Sequence, residues 1–351
     1  MITPEPPLTS LAHGGGCGCK MAPDVLRRIL AGTPQAAAFP QLLVGNETSD
    51  DAAVWRLNER QALVATTDFF MPMVDDPFDF GRIAAANALS DVYAMGGRPI
   101  LALAIVGMPV NVLSPETIGR VLAGGASVCA EAGVPVAGGH SIDSVEPIYG
   151  LVALGLVDPE QLLTNRGARA GDALILTKPL GVGVLSSAYK QGRLDADGYA
   201  ALLATTTRLN TLGAELPEIA GVHAVTDVTG FGLLGHALEM ARGAGLTVEI
   251  DTTAPALLPA AEALARDGVR TGASGRNWAA YGGEADGAER IEDWRRDLLT
   301  DPQTSGGLLI AVAERTAQAV LDLARARGFE EARRVGRVVE GPPRLRLSGG
   351  G

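Results

Sequence analysis

The stretch HGGGCGCK, residues 13–20, is the segment around which the rest of this chain is organised. Three consecutive glycines and a fourth at Gly18 leave the backbone free to adopt positive φ angles, so a mobile loop is predicted. Two thiols, Cys17 and Cys19, stand close to the cation Lys20. A nearby cation favours the thiolate, which is the reactive form of cysteine. The stretch therefore predicts a flexible loop that carries a reactive cysteine and a positive charge over a site elsewhere in the chain.

The amino-acid composition restricts the classes of function that this site can have. The chain has 351 residues, of which 47% are hydrophobic and 20% charged, and this balance predicts a globular protein of about two domains. Its net charge of −11 argues against a nucleic-acid partner, because non-specific nucleic-acid binders usually present a basic surface. The same acidity is compatible with an enzyme that binds phosphates through divalent metals held by carboxylates.

The cysteines and the apolar segments predict a cytoplasmic protein without membrane association. Three cysteines, Cys17, Cys19 and Cys129, provide no disulfide framework, as is usual in a reducing cytosol. Cys129 lies in a helical pattern and is interpreted as core packing. The first residues lack the basic and apolar regions of a signal peptide. The longest apolar run, residues 100–110, is too short to span a bilayer.

Several acidic residues occur where a ligand site is expected. Asp50 and Asp51 are adjacent between apolar segments, which suits either a solvated turn or a pair of ligands for a hard metal such as Mg²⁺. Asp68 ends a predicted strand at 62–67, where ligands bind in open α/β sheets, although a simple loop aspartate fits equally well. Asp227 lies near the end of another predicted strand, residues 223–229.

A predicted helix, capped by Asp79 and stopped at Gly96, carries two further polar side chains. Asn87 and Asp91 are four residues apart and therefore share one helix face with small apolar residues. A carboxylate in such surroundings is costly unless it has partners, so Asp91 is predicted to be buried or to face a ligand.

A predicted strand at 134–137 is followed by Gly138, Gly139, His140 and Ser141. The glycines let backbone N–H groups approach an anion, and the two side chains add hydrogen-bond donors. A tight turn with an incidental histidine is the alternative.

Two other site types are disfavoured. The pattern Gly230-x-Gly232-x-x-Gly235, with an acidic residue about twenty positions on, matches the dinucleotide fingerprint of an NAD-dependent oxidoreductase. However, it lies in mid-chain directly after Asp227 and leaves the loop unexplained. A zinc site built from His13 and the two loop cysteines lacks a fourth ligand. No Walker A loop is present, so any use of ATP lies outside the P-loop class.

Taken together and in order, seven segments resemble the selenophosphate synthetase (selenide, water dikinase) family. They are residues 13–20, 45–54, 66–72, 87–97, 137–142, 226–236 and 301–307. The resemblance implies an α/β fold of the α+β type, the two-domain aminoimidazole-ribonucleotide synthetase-like (PurM-like) fold. It divides the chain into a catalytic loop at 1–20, an N-terminal ATP-binding and dimerisation domain at 21–160, a C-terminal domain at 168–347 and a frayed tail at 348–351.

The same resemblance implies a reaction and its residues. Selenide, ATP and water would give selenophosphate, AMP and orthophosphate, with ATP shared across a homodimer interface and K⁺ as a possible further ion. Cys17 would be catalytic with Lys20 as its partner at the nucleotide, and Cys17 would bind selenium, position it or be phosphorylated. Mg²⁺ would be held by Asp51, Asp91 and Asp227. The implied nucleotide-site residues are Lys20, Thr48, Ser49, Asp50, Asp68, Asp91, Gly139, His140 and Ser141.

Two alternatives remain at this point. A related enzyme of the purine pathway would share the fold but would not need the Cys-x-Cys-Lys loop. A selenium or metal carrier would use the thiols but leave the aspartates without a role.

Overall fold

Two mixed sheets form the framework of the molecule. The computed structural model describes residues 5–21, 25, 28–29, 39–45 and 50–349. The amphipathic pattern of residues 22–30 predicts a short helix, which falls largely outside the described residues. The strands of these residues are β1 Leu42–Val44, β2 Ala53–Arg56, β3 Ala62–Phe70, β4 Arg98–Met108, β5 Val136–Asp143, β6 Ile148–Val157, β7 Asp172–Leu176, β8 Val222–Asp227, β9 Thr247–Asp251, β10 Ala285–Asp286, β11 Leu308–Ala313, β12 Arg333–Val339 and β13 Arg344–Ser348.

The first sheet has the order β1-β2-β3-β6-β4-β5 and the second β10-β13-β9-β12-β7-β11-β8. The helices are α1 Pro77–Ala94, α2 Pro115–Glu131, α3 Val182–Lys190, α4 Ala196–Thr206, α5 Gly232–Ala244, α6 Ala261–Arg266, α7 Gly272–Tyr281, α8 Asp293–Leu299 and α9 Ala317–Ala326. Most neighbouring strands are antiparallel, while β4–β5, β10–β13 and β9–β13 are parallel. The predicted fold class is therefore confirmed.

The division between the sheets falls where the sequence changes character. The first sheet ends at residue 157 and the second begins at residue 172, on either side of the segment predicted as the domain boundary. Ser348, the first residue of the predicted tail, ends β13, and its carbonyl accepts the N–H of Thr252. None of the described helices is long and apolar enough to cross a membrane, and the cytoplasmic location stays a prediction.

Strand β3 and helix α1 form the framework of the site. Residues Ala62, Val64, Asp68 and Phe70 of β3 are buried, because alternate side chains of a strand point to one face. Helix α1 packs against this strand. The predicted cap at Asp79 is wrong: the helix begins earlier, with the Asp76 carboxylate accepting the N–H of Asp79. Further along the chain, Cys129 is fully buried in α2, as predicted.

The alternative interpretation of residues 138–141 as a tight turn is wrong, because β5 continues through them. His140 pairs with Ile105 of β4, and Gly139 pairs with Ala104. The φ angles of Gly138 and Gly139 are 133° and 150°, a region that favours glycine. A Cβ at Gly139 would lie 1.9 Å from the carbonyl oxygen of Ala104. Gly139 therefore permits close pairing with β4, and the positive φ of both glycines is accommodated within a strand rather than a turn.

Candidate active site

The glycine-rich loop is packed into the protein rather than extended into solvent. Residues Gly16–Cys19 form one turn of 3₁₀ helix, and the Cys17 side chain is only 1% exposed. The N–H of Gly16 donates to the carbonyl of Met71 at 2.9 Å. The N–H of Cys17 donates to Oγ1 of Thr304, also at 2.9 Å. Met71 follows β3 and Thr304 precedes β11, so the loop joins the two sheets.

Lys20 and Cys17 meet two polar residues of the first sheet and its helix. Nζ of Lys20 lies 3.1 Å from Oδ2 of Asp68. Asn87 on α1 donates from Nδ2 to the same Asp68 oxygen at 2.7 Å, and its Oδ1 accepts from Sγ of Cys17 at 3.2 Å. Burial alone would lower the pKa of Lys20, but the Asp68 carboxylate and neighbouring acidic groups hold it well above its ordinary value. Lys20 is therefore a fixed positive charge.

The pKa of the Cys17 thiol is raised, although its neighbour Lys20 was expected to lower it. Burial raises the pKa of Cys17 well above its ordinary value, and the negative charge of Asp68 adds to the effect. The cation of Lys20 lowers this pKa, but by less than burial raises it. Burial thus opposes the thiolate that the neighbouring cation favours, and in this arrangement it favours the neutral thiol. Burial likewise raises the pKa of Cys19.

The buried carboxylates of Asp91 and Asp227 and the half-buried one of Asp51 lie beside this cluster, and each accepts a hydrogen bond from a hydroxyl group. The donor–acceptor pairs are Thr226 to Asp51, Thr66 to Asp91 and Ser90 to Asp227.

Burial raises the pKa of all three carboxyl groups, and the charge of Asp227 raises it further at both Asp51 and Asp91. Within the described residues, Oδ2 of Asp51 is buried and has no hydrogen-bond partner. The three carboxylates therefore lack enough neighbouring positive charge and hydrogen-bond donors to balance their negative charge.

Those properties suit a hard divalent cation, which prefers carboxylate oxygens. Across the described ranges, however, no group of three or more His, Cys, Asp or Glu side chains is arranged as a metal centre. A bound Mg²⁺ would give the unpartnered oxygen of Asp51 a partner and would relieve the repulsion among the carboxylates. These two features are the ones that support the predicted ion.

Of the other predicted nucleotide residues, those on β5 lie apart from this cluster. Thr48 and Ser49 lie outside the described residues. The Asp50 carboxylate accepts the N–H of Asn165 at 2.9 Å. Gly139, His140 and Ser141 lie on β5, an exposed edge strand three positions from β3, or ~14 Å at usual strand spacing.

Five polar side chains of the site were missing from the predicted set. They are Thr66, Asn87, Ser90, Thr226 and Thr304. The helical spacing of Asn87 and Asp91 signalled one of them. The hydroxyl residues gave no comparable signal, because each acts on a carboxylate or an N–H group far away in sequence.

The glycine pattern at 230–235 has a packing explanation. A Cβ at Gly230 would lie 2.9 Å from Cδ of Lys20 and 3.1 Å from the carbonyl oxygen of Cys17. At Gly232, where φ is 72°, a Cβ would meet the backbone of Thr300 at 2.6 Å. These glycines make room for the loop and for a neighbouring turn, which removes the main support for a dinucleotide site.

Comparison with known proteins defines first the class and then the family. Residues 49–157 match the family model "AIR synthase related protein, N-terminal domain", and residues 169–347 match the corresponding C-terminal domain. The chain is thus an AIR synthase related protein with both domains. It is 65% identical over 346 residues to "Selenide, water dikinase" of Burkholderia ambifaria (strain MC40-6), covering 98% of each chain. The protein of that name from Rhizobium meliloti (strain 1021) is 56% identical over 347 residues, with 99% coverage of each. The chain belongs to the selenide, water dikinase family, and the resemblance found in the sequence is confirmed.

A solved structure confirms the architecture. Thiamine-monophosphate kinase from Stenotrophomonas maltophilia K279a superimposes with a TM-score of 0.66 over 93% of this chain and 95% of that one. The two sequences are 22% identical, so the likeness concerns the fold.

Proposed function

We propose that this protein converts selenide, ATP and water into selenophosphate, AMP and orthophosphate, and thereby supplies the selenium donor for selenocysteine and selenouridine synthesis. The observation that carries the proposal is the position of the loop. Its Lys20 is paired with Asp68 beside the carboxylates of Asp51, Asp91 and Asp227, and its Cys17 is buried at the same place. Family membership supports the same reaction.

Phosphoryl transfer depends mainly on positioning and on neutralising charge, with little covalent work by the protein. Lys20 supplies a permanent positive charge for the transferring phosphoryl group. The hydroxyl groups of Thr66, Ser90 and Thr226 fix the orientation of the carboxylates. Thr48, Ser49 and Asp50 complete the proposed nucleotide site together with Asp68.

Asp51, Asp91 and Asp227 are proposed to hold Mg²⁺. The ion would neutralise the phosphate oxygens as charge develops on them. K⁺ remains a further expectation from the family resemblance.

Cys17 is proposed to bind and position selenium. Hydroselenide is already an anion near neutral pH, so the first step does not require a strong base. Because the buried Cys17 is a neutral thiol, it is a poor nucleophile toward phosphorus and a suitable hydrogen-bond donor to an anion. This favours positioning over a phosphocysteine. The packed loop also keeps bulk water from the reacting groups.

A homodimer is proposed to complete the nucleotide site. The edge strand β5 carries Gly139, His140 and Ser141 into solvent, and Phe69 and Ile142 are large apolar side chains exposed on the same sheet. Pairing of this sheet with a second copy would cover these side chains and bring residues 139–141 of one protomer toward the loop site of its partner.

Anaerobic ³¹P NMR with MgATP, with and without selenide, tests the function. We expect a selenophosphate resonance together with AMP and orthophosphate from the wild-type protein, and its loss in Cys17→Ser. Cys19→Ser is the matched control, because this loop thiol donates only to the Gly16 carbonyl among the described hydrogen bonds. Intact ATP, or ADP formed regardless of selenide, would contradict the proposal and favour a carrier or a purine-pathway enzyme.

A further inference from the structure

A cavity of about 510 Å³ lies on the outer face of the glycine-rich loop. The loop contributes Gly14, Gly15, Gly18 and Cys19 to its wall, whereas Cys17 and Lys20 point to the opposite, acidic side. The loop thus separates this cavity from the carboxylates packed on its inner side. The proposed mechanism uses only the groups on the inner side.

The remaining walls of the cavity are basic. Lys190 at the end of α3, Arg270 just before α7 and Arg276 within α7 all line it, and His13, which also lines it, is paired with the Glu146 carboxylate at 2.9 Å. None of its described lining residues is an aspartate or glutamate, although the chain as a whole carries a net charge of −11. A cavity with this lining selects an anion.

The charges are only partly balanced from outside the cavity. Arg270 lies 3.4 Å from Asp297, but Arg296 shares the same carboxylate. Lys190 and Arg276 donate to backbone carbonyls, those of Ala12 and Gly18 respectively. Arg276 therefore contacts the loop backbone and Lys190 contacts the residue just before the loop, while Arg270 makes no hydrogen bond to the loop among the described residues and is the cleaner probe of charge.

The size of the cavity defines the ligand further. A hydroselenide ion occupies a volume on the order of that of one water, ~30 Å³, whereas small organic ligands occupy pockets of roughly 300–1,000 Å³. The carboxylates on the inner side of the loop suit a metal-bound nucleotide and repel a free organic anion. In the proposed reaction the nucleotide is thus assigned to the inner side of the loop. Selenium is the substrate that still needs a delivery site.

We propose that this cavity binds an organic anion that carries the selenium, a carboxylate-bearing thiol compound of up to about tripeptide size in its perselenide form. The inference rests on the proposed function and names the form in which that site receives selenium. Release is balanced with one more thiol: RSSeH + RSH gives RSSR + H₂Se. The S–Se bond breaks, an S–S bond forms, two thiol sulfurs are oxidised and selenium is reduced. The selenide is then released beside the loop that carries Cys17.

The test compares two selenium carriers under anaerobic conditions. Selenium is presented as the perselenide of glutathione, which bears carboxylates, or of 2-mercaptoethanol, which bears none, each with excess parent thiol. We expect a KM for selenium at least fivefold lower with the carboxylated carrier. In Arg270→Gln the ratio of the two KM values, 2-mercaptoethanol carrier over glutathione carrier, should approach one. Arg270→Lys should restore most of the wild-type ratio. Arg290→Gln, an exposed arginine on another part of the surface, should keep the wild-type ratio.

Equal KM values for the two carriers in the wild-type protein would overturn the inference, as would a ratio unaffected by Arg270→Gln. A second measurement needs no variant: raising the ionic strength should reduce the ratio, because salt screens charges at an open cavity. A salt-independent ratio contradicts the proposal. Absence of selenophosphate from every selenium source would instead refute the proposed function, so the two failures are distinct.

Discussion

Sγ of Cys17 lies 3.2 Å from Oδ1 of Asn87, and that amide connects three parts of the site. The same oxygen accepts the N–H of Ser305 at 2.8 Å, while Nδ2 donates to Asp68. Because every polar atom of the Asn87 side chain has a partner, its orientation is fixed. The position of the loop is therefore coupled to helix α1 and to both sheets.

Replacing Asn87 by alanine should disturb stability and activity together. The change leaves the N–H of Ser305 without its partner and removes one of the two donors to Oδ2 of Asp68, which costs about 1–3 kcal/mol in the free energy of unfolding. Loss of the Cys17 contact should reduce the rate of selenophosphate formation at least tenfold, equivalent to ~1.4 kcal/mol of lost positioning. Urea unfolding and ³¹P NMR measure the two effects. Asn58→Ala, which removes an exposed amide, is the control; wild-type activity in Asn87→Ala would contradict the proposed coupling.

Alkylation should report the neutral state of Cys17. Iodoacetamide reacts with the thiolate, and the pKa of the buried Cys17 lies well above its ordinary value of 9.0. We therefore expect Cys17 to react much more slowly in the folded protein than in urea at pH 7.5, and its rate to keep rising above pH 9. Mass spectrometry of the peptides follows each cysteine separately.

Asp68→Asn removes a negative charge that raises this pKa and should accelerate the reaction of Cys17. Lys20→Gln removes a positive charge and should slow it. Faster alkylation of the folded than of the unfolded protein at neutral pH would restore the thiolate that the sequence suggested.

The contrast between Cys17 and Asp91 shows how far the sequence could predict the site. Helical spacing placed Asn87 and Asp91 on one face, and the structure has both buried there, because the period of a helix is a local property. The protonation state of Cys17 depends on burial by Thr304 and Asn87, residues 287 and 70 positions away. Local composition showed the cation at Lys20 but could not show the desolvation that outweighs it. Likewise, Gly138 and Gly139 gave the same signal as a turn, although they lie in a strand, where the neighbouring strand β4 requires glycine at position 139.

Asp301 should give the protein a characteristic pH dependence of stability. Its Oδ2 accepts the N–H groups of Gly183 and Val184 at the start of α3, and the Gln303 amide, while its buried Oδ1 has no partner among the described residues. Burial raises the pKa of Asp301 to about 7, above the ~3.9 of an unfolded aspartate. Between these values the folded state binds more protons at this group. Its contribution to stability is therefore fully present below about pH 4 and is lost as the pH rises through 7.

Urea unfolding at several pH values from 4.5 to 8 checks this sign. The free energy of unfolding of the wild type, minus that of Asp301→Asn, should fall as the pH rises across the range. Asp322→Asn, an exposed carboxylate on α9, controls for the loss of one acidic group. A difference that grows with pH would mean that Asp301 is held in its charged form.

Gly230→Ala should separate the position of the loop from the stability of the fold. The added Cβ would lie 2.9 Å from Cδ of Lys20 and 3.1 Å from the Cys17 carbonyl, so the loop must shift. Since the loop contributes little to either sheet, we expect the free energy of unfolding to change by less than about 1 kcal/mol. Selenophosphate formation should fall at least tenfold, because a displacement of about 1 Å at reacting groups can cost a hundredfold in rate.

Gly275→Ala on helix α7 is the matched control, since no heavy atom lies within 4 Å of its added Cβ and alanine favours a helix interior. This variant should be as active as the wild type and at least as stable. If Gly230→Ala also retained full activity, the packed position of Lys20 beside Asp68 would not be the one in which the phosphoryl group is transferred. A large loss of stability in Gly230→Ala would show instead that the loop is part of the folded core, because the steric conflict would then have no movable partner to relieve it.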